Sequence, residues 1–103
     1  MIRQFDVIAN PLRSNRADIP FLLCVQHYLL DYLTTRLVAP LRRGQPHLPN
    51  RLCPALNVLG NTVFLDPADL YAAPNARLSD PISNLESDRD RIIAALDLVF
   101  TGV

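Results

Sequence analysis

Apolar and polar positions alternate over "RQFDVIA", with Phe5 and Val7 on one face and Gln4 and Asp6 on the other. A period of two predicts a half-buried strand. "NPLRSNRADIP" breaks the pattern and reads as a loop. "FLLCVQ" then runs apolar without interruption, as a strand buried on both faces does. "HYLLDYL" has no decisive period: it either extends that strand or turns away as a short helical piece. "RLVAPL" is a further strand, with Pro40 at an edge or a bulge because proline cannot donate to a ladder. In "ALNVLGNTVFLD" two apolar runs flank Gly60-Asn61, a two-residue hairpin turn with glycine where positive φ is needed. From Pro67 to Pro81 the chain is turn-rich, with at most one short strand.

The last segment changes period. Ser83 followed by Glu86 is a capping box, and Ser87 with Asp88 and Asp90 offers a second helix start with acids near the positive end of the dipole. Ile92, Leu96, Val99 and Val103 recur at helical spacing, with Ile93 and Phe100 in an adjacent row. The helix is apolar on more than half its circumference. One face is expected to pack on a sheet, and the other needs a partner.

Composition narrows the class. The 103 residues are half hydrophobic and 19% charged, which predicts a single globular domain over residues 1–103. Nine prolines and three glycines cut the chain into short pieces and favour β structure over a helical bundle. The expected fold class is mainly β (α+β): a small antiparallel, partly open β-barrel with one C-terminal α-helix. Formal net charge is zero, so the basic excess of a free-standing nucleic-acid binder is missing. All ten basic residues are arginine, which excludes lysine-dependent phosphate-loop or Schiff-base chemistry. Two cysteines are too few for a disulfide framework, and "MIRQFDV" does not read as a signal peptide. The longest apolar run, Phe21 to Val25, is too short to cross a bilayer. A cytoplasmic protein with reduced thiols, and no membrane association, is expected.

Candidate chemistry is sparse. Cys24, His27, His47 and Cys53 are four possible zinc ligands, but Cys24 and His27 stand three apart in an apparent strand. Odd spacing sends them to opposite faces. Neither cysteine-histidine pair has a third, orienting residue nearby. Asp66 and Asp69 beside Pro67 read as turn formers. No catalytic residue, metal or cofactor is expected.

Several segments together carry a family resemblance. "FLLCVQHYLLDYLTTRLVAPL", then "LCPALNV", "DLYAAP" and "LESDRDRIIAALDLVFTGV" resemble the CcdB toxins of toxin–antitoxin modules. Most distinctive are Val25-Gln26, the strand from Arg36 to Pro40-Leu41, and a terminal helix ending in Gly102 plus an aliphatic residue. The resemblance implies a homodimer that binds the GyrA subunit of DNA gyrase and traps the gyrase–DNA cleavage complex, without catalysis. It also implies a CcdA-like antitoxin that folds on the toxin, removes it from gyrase and contacts operon DNA, so that the toxin meets DNA only indirectly. By the same resemblance Phe100, Thr101, Gly102 and Val103 form the main gyrase-contacting element. Leu29 and Leu30 match apolar residues of the neighbouring surface, and Ile93 and Asp97 lie on the matching helix face.

The chain departs from the family pattern at Thr101, where Trp precedes the terminal Gly, and at His27, which replaces a smaller residue. Thr101 leaves open a retuned homologue that keeps antitoxin binding and operon co-regulation but does not poison gyrase. A ribonuclease toxin is a further alternative, opposed by zero net charge and two scattered histidines. In the remaining alternative the apolar terminus is only core.

Overall fold

The computed structural model describes residues 1–102. Seven strands form one antiparallel sheet: β1 (Asp6–Ala9), β2 (Phe21–Cys24), β3 (Thr35–Arg42), β4 (Ala55–Val58), β5 (Asn61–Leu65), β6 (Tyr71–Pro74) and β7 (Ser83–Asn84). The order is β4-β5-β3-β2-β1-β7, with β6 paired to β3 beside β5. The sheet curls into a nearly closed barrel, and one helix, α1 (Arg89–Thr101), ends the described chain.

Strand β3 organises the sheet. Its first half pairs with β6 (Thr35↔Pro74 to Val38↔Tyr71), and its end pairs with β5 (Leu41↔Leu65, Arg42↔Phe64). Pro40 sits between the two partners. Its carbonyl accepts from the Asp66 N–H at 3.0 Å. A residue's N–H and C=O point to the same side of a strand, so the missing N–H falls where β6 has left and β5 has only begun. The expected edge therefore exists locally, inside a strand whose residues Val38 to Leu41 pair with β2 on the other side.

Burial falls on both faces of β1–β3. Phe5, Val7, Leu23, Val25, Ala39 and Leu41 join residues of β4 and β5 in one cluster, closed by Ile92 and Ala95 of α1. Ile8, Leu22, Cys24 and Val38 point the other way, into a second cluster with Ile2, Ile19 and Ala73. Alternate residues thus feed alternate clusters, as a period of two requires.

Four details correct the sequence reading. The first strand starts only at Asp6 and is buried on both faces, because Ile8 enters the second cluster. Before it the chain turns: the Asp6 N–H donates to the Arg3 carbonyl, the Asp6 carboxylate takes the Arg3 N–H, and Phe5 sits at φ 69°. The hairpin turn is Leu59-Gly60, not Gly60-Asn61, since Val58 pairs with Asn61. Both turn residues have positive φ (52° and 86°), and Asn57 Oδ1 accepts from the Gly60 N–H at 3.0 Å. The capping box does not form: Ser83 pairs with Val7 in β7, and Asn84 Oδ1 accepts from the Glu86 N–H at 2.8 Å. A 3-10 turn over Glu86–Asp88 then leads into α1.

The undecided "HYLLDYL" turns away, as a 3-10 turn over Tyr28–Leu30. Between Pro67 and Pro81 there is one short strand, β6. No helix among the described residues is long and apolar enough to cross a membrane.

Candidate functional site

Two apolar elements stand out from the barrel, the first held by polar groups beneath it and the second by apolar anchors in the core. The first is the loop between β2 and β3. At its base Gln26 is buried, and its side chain bridges the loop ends. Nε2 donates to the carbonyls of Leu30 (3.1 Å) and Thr35 (3.2 Å), and Oε1 accepts from the Leu37 N–H (3.1 Å). His27 Nδ1 accepts from the Leu29 N–H at 3.2 Å and starts the 3-10 turn, with its ring 4.4 Å from that of Tyr28.

Arg36, only 2% exposed, holds the other side of the loop. Nε donates to the Ile2 carbonyl, Nη1 to those of Leu33 and Thr35, and Nη2 to that of Asp31, at 3.0 to 3.2 Å. A buried guanidinium is tolerated only with this saturation and a nearby countercharge, here Asp31 Oδ1 at 4.0 Å. With the backbone so fixed, the large side chains point outward: Tyr28 is 64% exposed, Leu29 66% and Tyr32 79%, with Leu30 and Leu33 also exposed. Five large apolar side chains within six residues form a contiguous patch of the kind that marks an interaction site.

The second element is the end of α1. Ile92 and Ala95 anchor the helix in the core, and Ile93 and Leu96 pack half-buried against the same cluster. Phe100, in the row of Ile93 and Leu96, extends past the cluster and is 69% exposed. Thr101 Oγ1 donates to the Asp97 carbonyl at 2.7 Å. Gly102, at φ 75°, closes the helix with its N–H on the Leu98 carbonyl at 3.1 Å. That left-handed cap is the position at which glycine is preferred.

Of the residues expected to contact gyrase, the structure gathers Asp97, Phe100, Thr101 and Gly102 at one helix end. Ile93 faces largely inward, and Leu29 and Leu30 lie on the separate loop. The two elements are linked through the core, since Leu37 at the loop base packs in the same cluster as Ile93 and Leu96. Val103 lies outside the described residues. Sequence reasoning did not single out Tyr28, Tyr32 and Leu33 as exposed apolar groups, nor the bracing roles of Gln26 and Arg36. The family resemblance did mark Val25-Gln26 and Arg36 as distinctive, without a physical reason.

The titratable groups are placed less suggestively. Cys24 is fully buried while His27 is exposed, and no group of three or more potential metal ligands gathers among the described residues. Burial pushes the Cys24 thiol above its ordinary range, against smaller opposing effects from the Gln26 backbone and Arg36. Cys53 is raised by burial too. Arg42 binds three carboxylates, Asp66 at 2.9 Å and Asp18 and Asp69 at 3.1 Å, and its affinity for its proton rises chiefly through the Asp66 hydrogen bond. This cluster ties the end of β3 to the 3-10 turn over Pro67–Asp69, against which α1 packs.

The fold and these elements define a small barrel protein that presents an apolar loop and an apolar helix end. A family model described as CcdB protein matches residues 4–102, and the chain belongs to that family. Among solved structures, one described as an endoribonuclease in complex with its cognate antitoxin from mycobacterial species shares the fold, with a TM-score of 0.79. Its sequence is 12% identical, and the match covers 97% of this chain and 95% of that one. A comparison with curated protein sequences returned no match.

Proposed function

We infer that this chain is the toxin of a type II toxin–antitoxin module that acts as a homodimer, binds the GyrA subunit of DNA gyrase and traps the gyrase–DNA cleavage complex without catalysing a reaction. The observation that carries the reading is the helix end. A helix anchored at Ile92 and Ala95 projects Phe100 into solvent and closes on Gly102, an arrangement that costs apolar exposure unless another surface covers it. The Tyr28–Leu33 loop supplies more surface of the same character. A CcdA-like antitoxin that covers these elements would neutralise the toxin, and operon DNA would be contacted through the antitoxin. The test is induced expression in a gyrase-sensitive bacterium beside a strain whose GyrA carries a toxin-resistance substitution. Death of the first and growth of the second is the expected result. Equal death in both would remove gyrase as the target.

A second reading, a retuned homologue that binds antitoxin but does not poison gyrase, draws support from Thr101. Its hydroxyl is directed back to the Asp97 carbonyl, and it offers no ring to stack on a partner cation. Equal survival of both strains, with soluble toxin present, would favour it. Ribonuclease activity is what the name of the structural neighbour assigns to that protein. In this chain the Nδ1 of His27 is engaged by the Leu29 N–H, and transfer of activity at 12% identity has only the shared fold behind it.

A further inference from the structure

The turn that presents Tyr28, Leu29 and Leu30 starts at a histidine, where serine, threonine, asparagine or aspartate is the usual cap. His27 has the extended backbone of a capping residue (φ −61°, ψ 143°), and its Nδ1 accepts from the Leu29 N–H at 3.2 Å. Only a neutral ring with its proton on Nε2 offers that acceptor. Imidazolium donates from both nitrogens, so a protonated His27 sets one N–H against another. The ring must then rotate or the turn must open, and in either case the bond to Leu29 is lost.

The surroundings confine that effect. The charged groups that bear on this end of β2 are Arg36, Asp31 and Asp6, which act on Cys24 three residues earlier. Asp31 faces Arg36, and the Asp6 carboxylate takes the Arg3 N–H at 2.8 Å and the Asn84 amide at 2.9 Å. No ion pair among the described residues includes His27, and the titratable side chain it meets ring to ring is Tyr28, at 4.4 Å. The rest of the loop has separate supports. Gln26 holds the Leu30 carbonyl, and Arg36 holds those of Asp31, Leu33 and Thr35. Neither support changes charge between about pH 5 and 8.

We propose that His27 is a proton-operated latch on the apolar loop. Neutral, it fixes the turn over Tyr28–Leu30. Protonated, it releases the Tyr28-Leu29 end, while Gln26 and Arg36 keep the remainder in place. A partner that reads Leu29 therefore meets a different surface on each side of the transition. The latch is a property of this chain alone and does not depend on the gyrase reading.

The test is an NMR titration of the full ¹⁵N-labelled chain from about pH 8 to 5, the interval in which histidine is the side chain that ordinarily changes charge. His27→Asn is titrated beside it. Asparagine caps through a carboxamide that does not titrate, and position 27 is exposed, so the variant keeps both turn and fold. In the natural chain the neutral ring should carry its proton on Nε2. The Leu29 amide should move with the midpoint of the His27 ring while the amides of Leu33 and Leu37 stay in place. In His27→Asn that movement should vanish. At about pH 5 the Leu29 amide of the natural chain should also exchange about fivefold faster than in His27→Asn, the usual effect of a lost cap. A neutral ring protonated on Nδ1, a Leu29 amide that ignores the ring, movement that survives His27→Asn, or equal exchange in the two chains would each overturn the proposal.

Discussion

Two buried polar side chains, Gln26 and Arg36, decide how the apolar loop is displayed. Arg36→Met removes the donor for four carbonyls and leaves Asp31 without its countercharge. A loss of ~3–5 kcal/mol is expected, as for half of a broken buried ion pair, read as a lower urea midpoint. Gln26→Ala should cost less, ~1–3 kcal/mol, but it frees the loop ends and should raise the protease sensitivity of residues 27–35. At the helix end, Thr101→Trp restores a flat ring beside Gly102. Stacking on a cation contributes ~0.5–2 kcal/mol, so GyrA binding by the variant should tighten by roughly 2- to 30-fold in a surface-binding assay. An unchanged affinity would mean that Thr101 does not face gyrase.

Elements were legible where their causes are local. The strand runs "RLVAPL" and "FLLCVQ" and the hairpin glycine all report on neighbours a few residues away. The errors came from strand pairings that the local pattern does not show. Ser83 reads as a helix cap until Val7, distant in sequence, recruits it into β7. The hairpin register is set by the pairing of Val58 with Asn61, which forces Leu59 rather than Asn61 to positive φ. That placement is testable. Leu59→Asn puts a residue tolerant of the left-handed region into the turn, at an exposed position where leucine buries little. A gain of ~1 kcal/mol is expected, seen as a higher melting temperature with the fold unchanged. The loop apices were the least legible part of the candidate site. A run of leucines and tyrosines predicts burial, and only the carbonyl bonds from Gln26 and Arg36 reveal that its side chains face solvent.

For the molecule as a whole, buried thiols set the alkaline limit. Cys24 and Cys53 are held above the ordinary thiol range by burial, so in the unfolded chain they lose protons first. Above about pH 8.5 the unfolded state binds fewer protons than the native state, and stability falls as pH rises. Tyr71, also raised by burial and by Asp69, extends the same slope to higher pH. Thermal melts from about pH 7 to 10 should show a falling midpoint. In the Cys24→Ala, Cys53→Ala double variant the midpoint should be lower throughout, from lost packing, but flatter between about pH 8 and 10. An equally steep decline would assign the alkaline limit to other groups.

The change of partner at Pro40 divides the sheet into parts that need not open together. The β4–β5 hairpin reaches β3 through two residue pairs, the Asp66 N–H bond to the Pro40 carbonyl and the Arg42 carboxylate cluster, while β6 holds four pairs and β2 another four. In native-state hydrogen exchange the hairpin amides should therefore escape protection at a lower free energy than those of β2 and the first half of β3, and added salt should lower it further by screening the Arg42 cluster. The barrel then has a seam, and proline marks the point from which it parts.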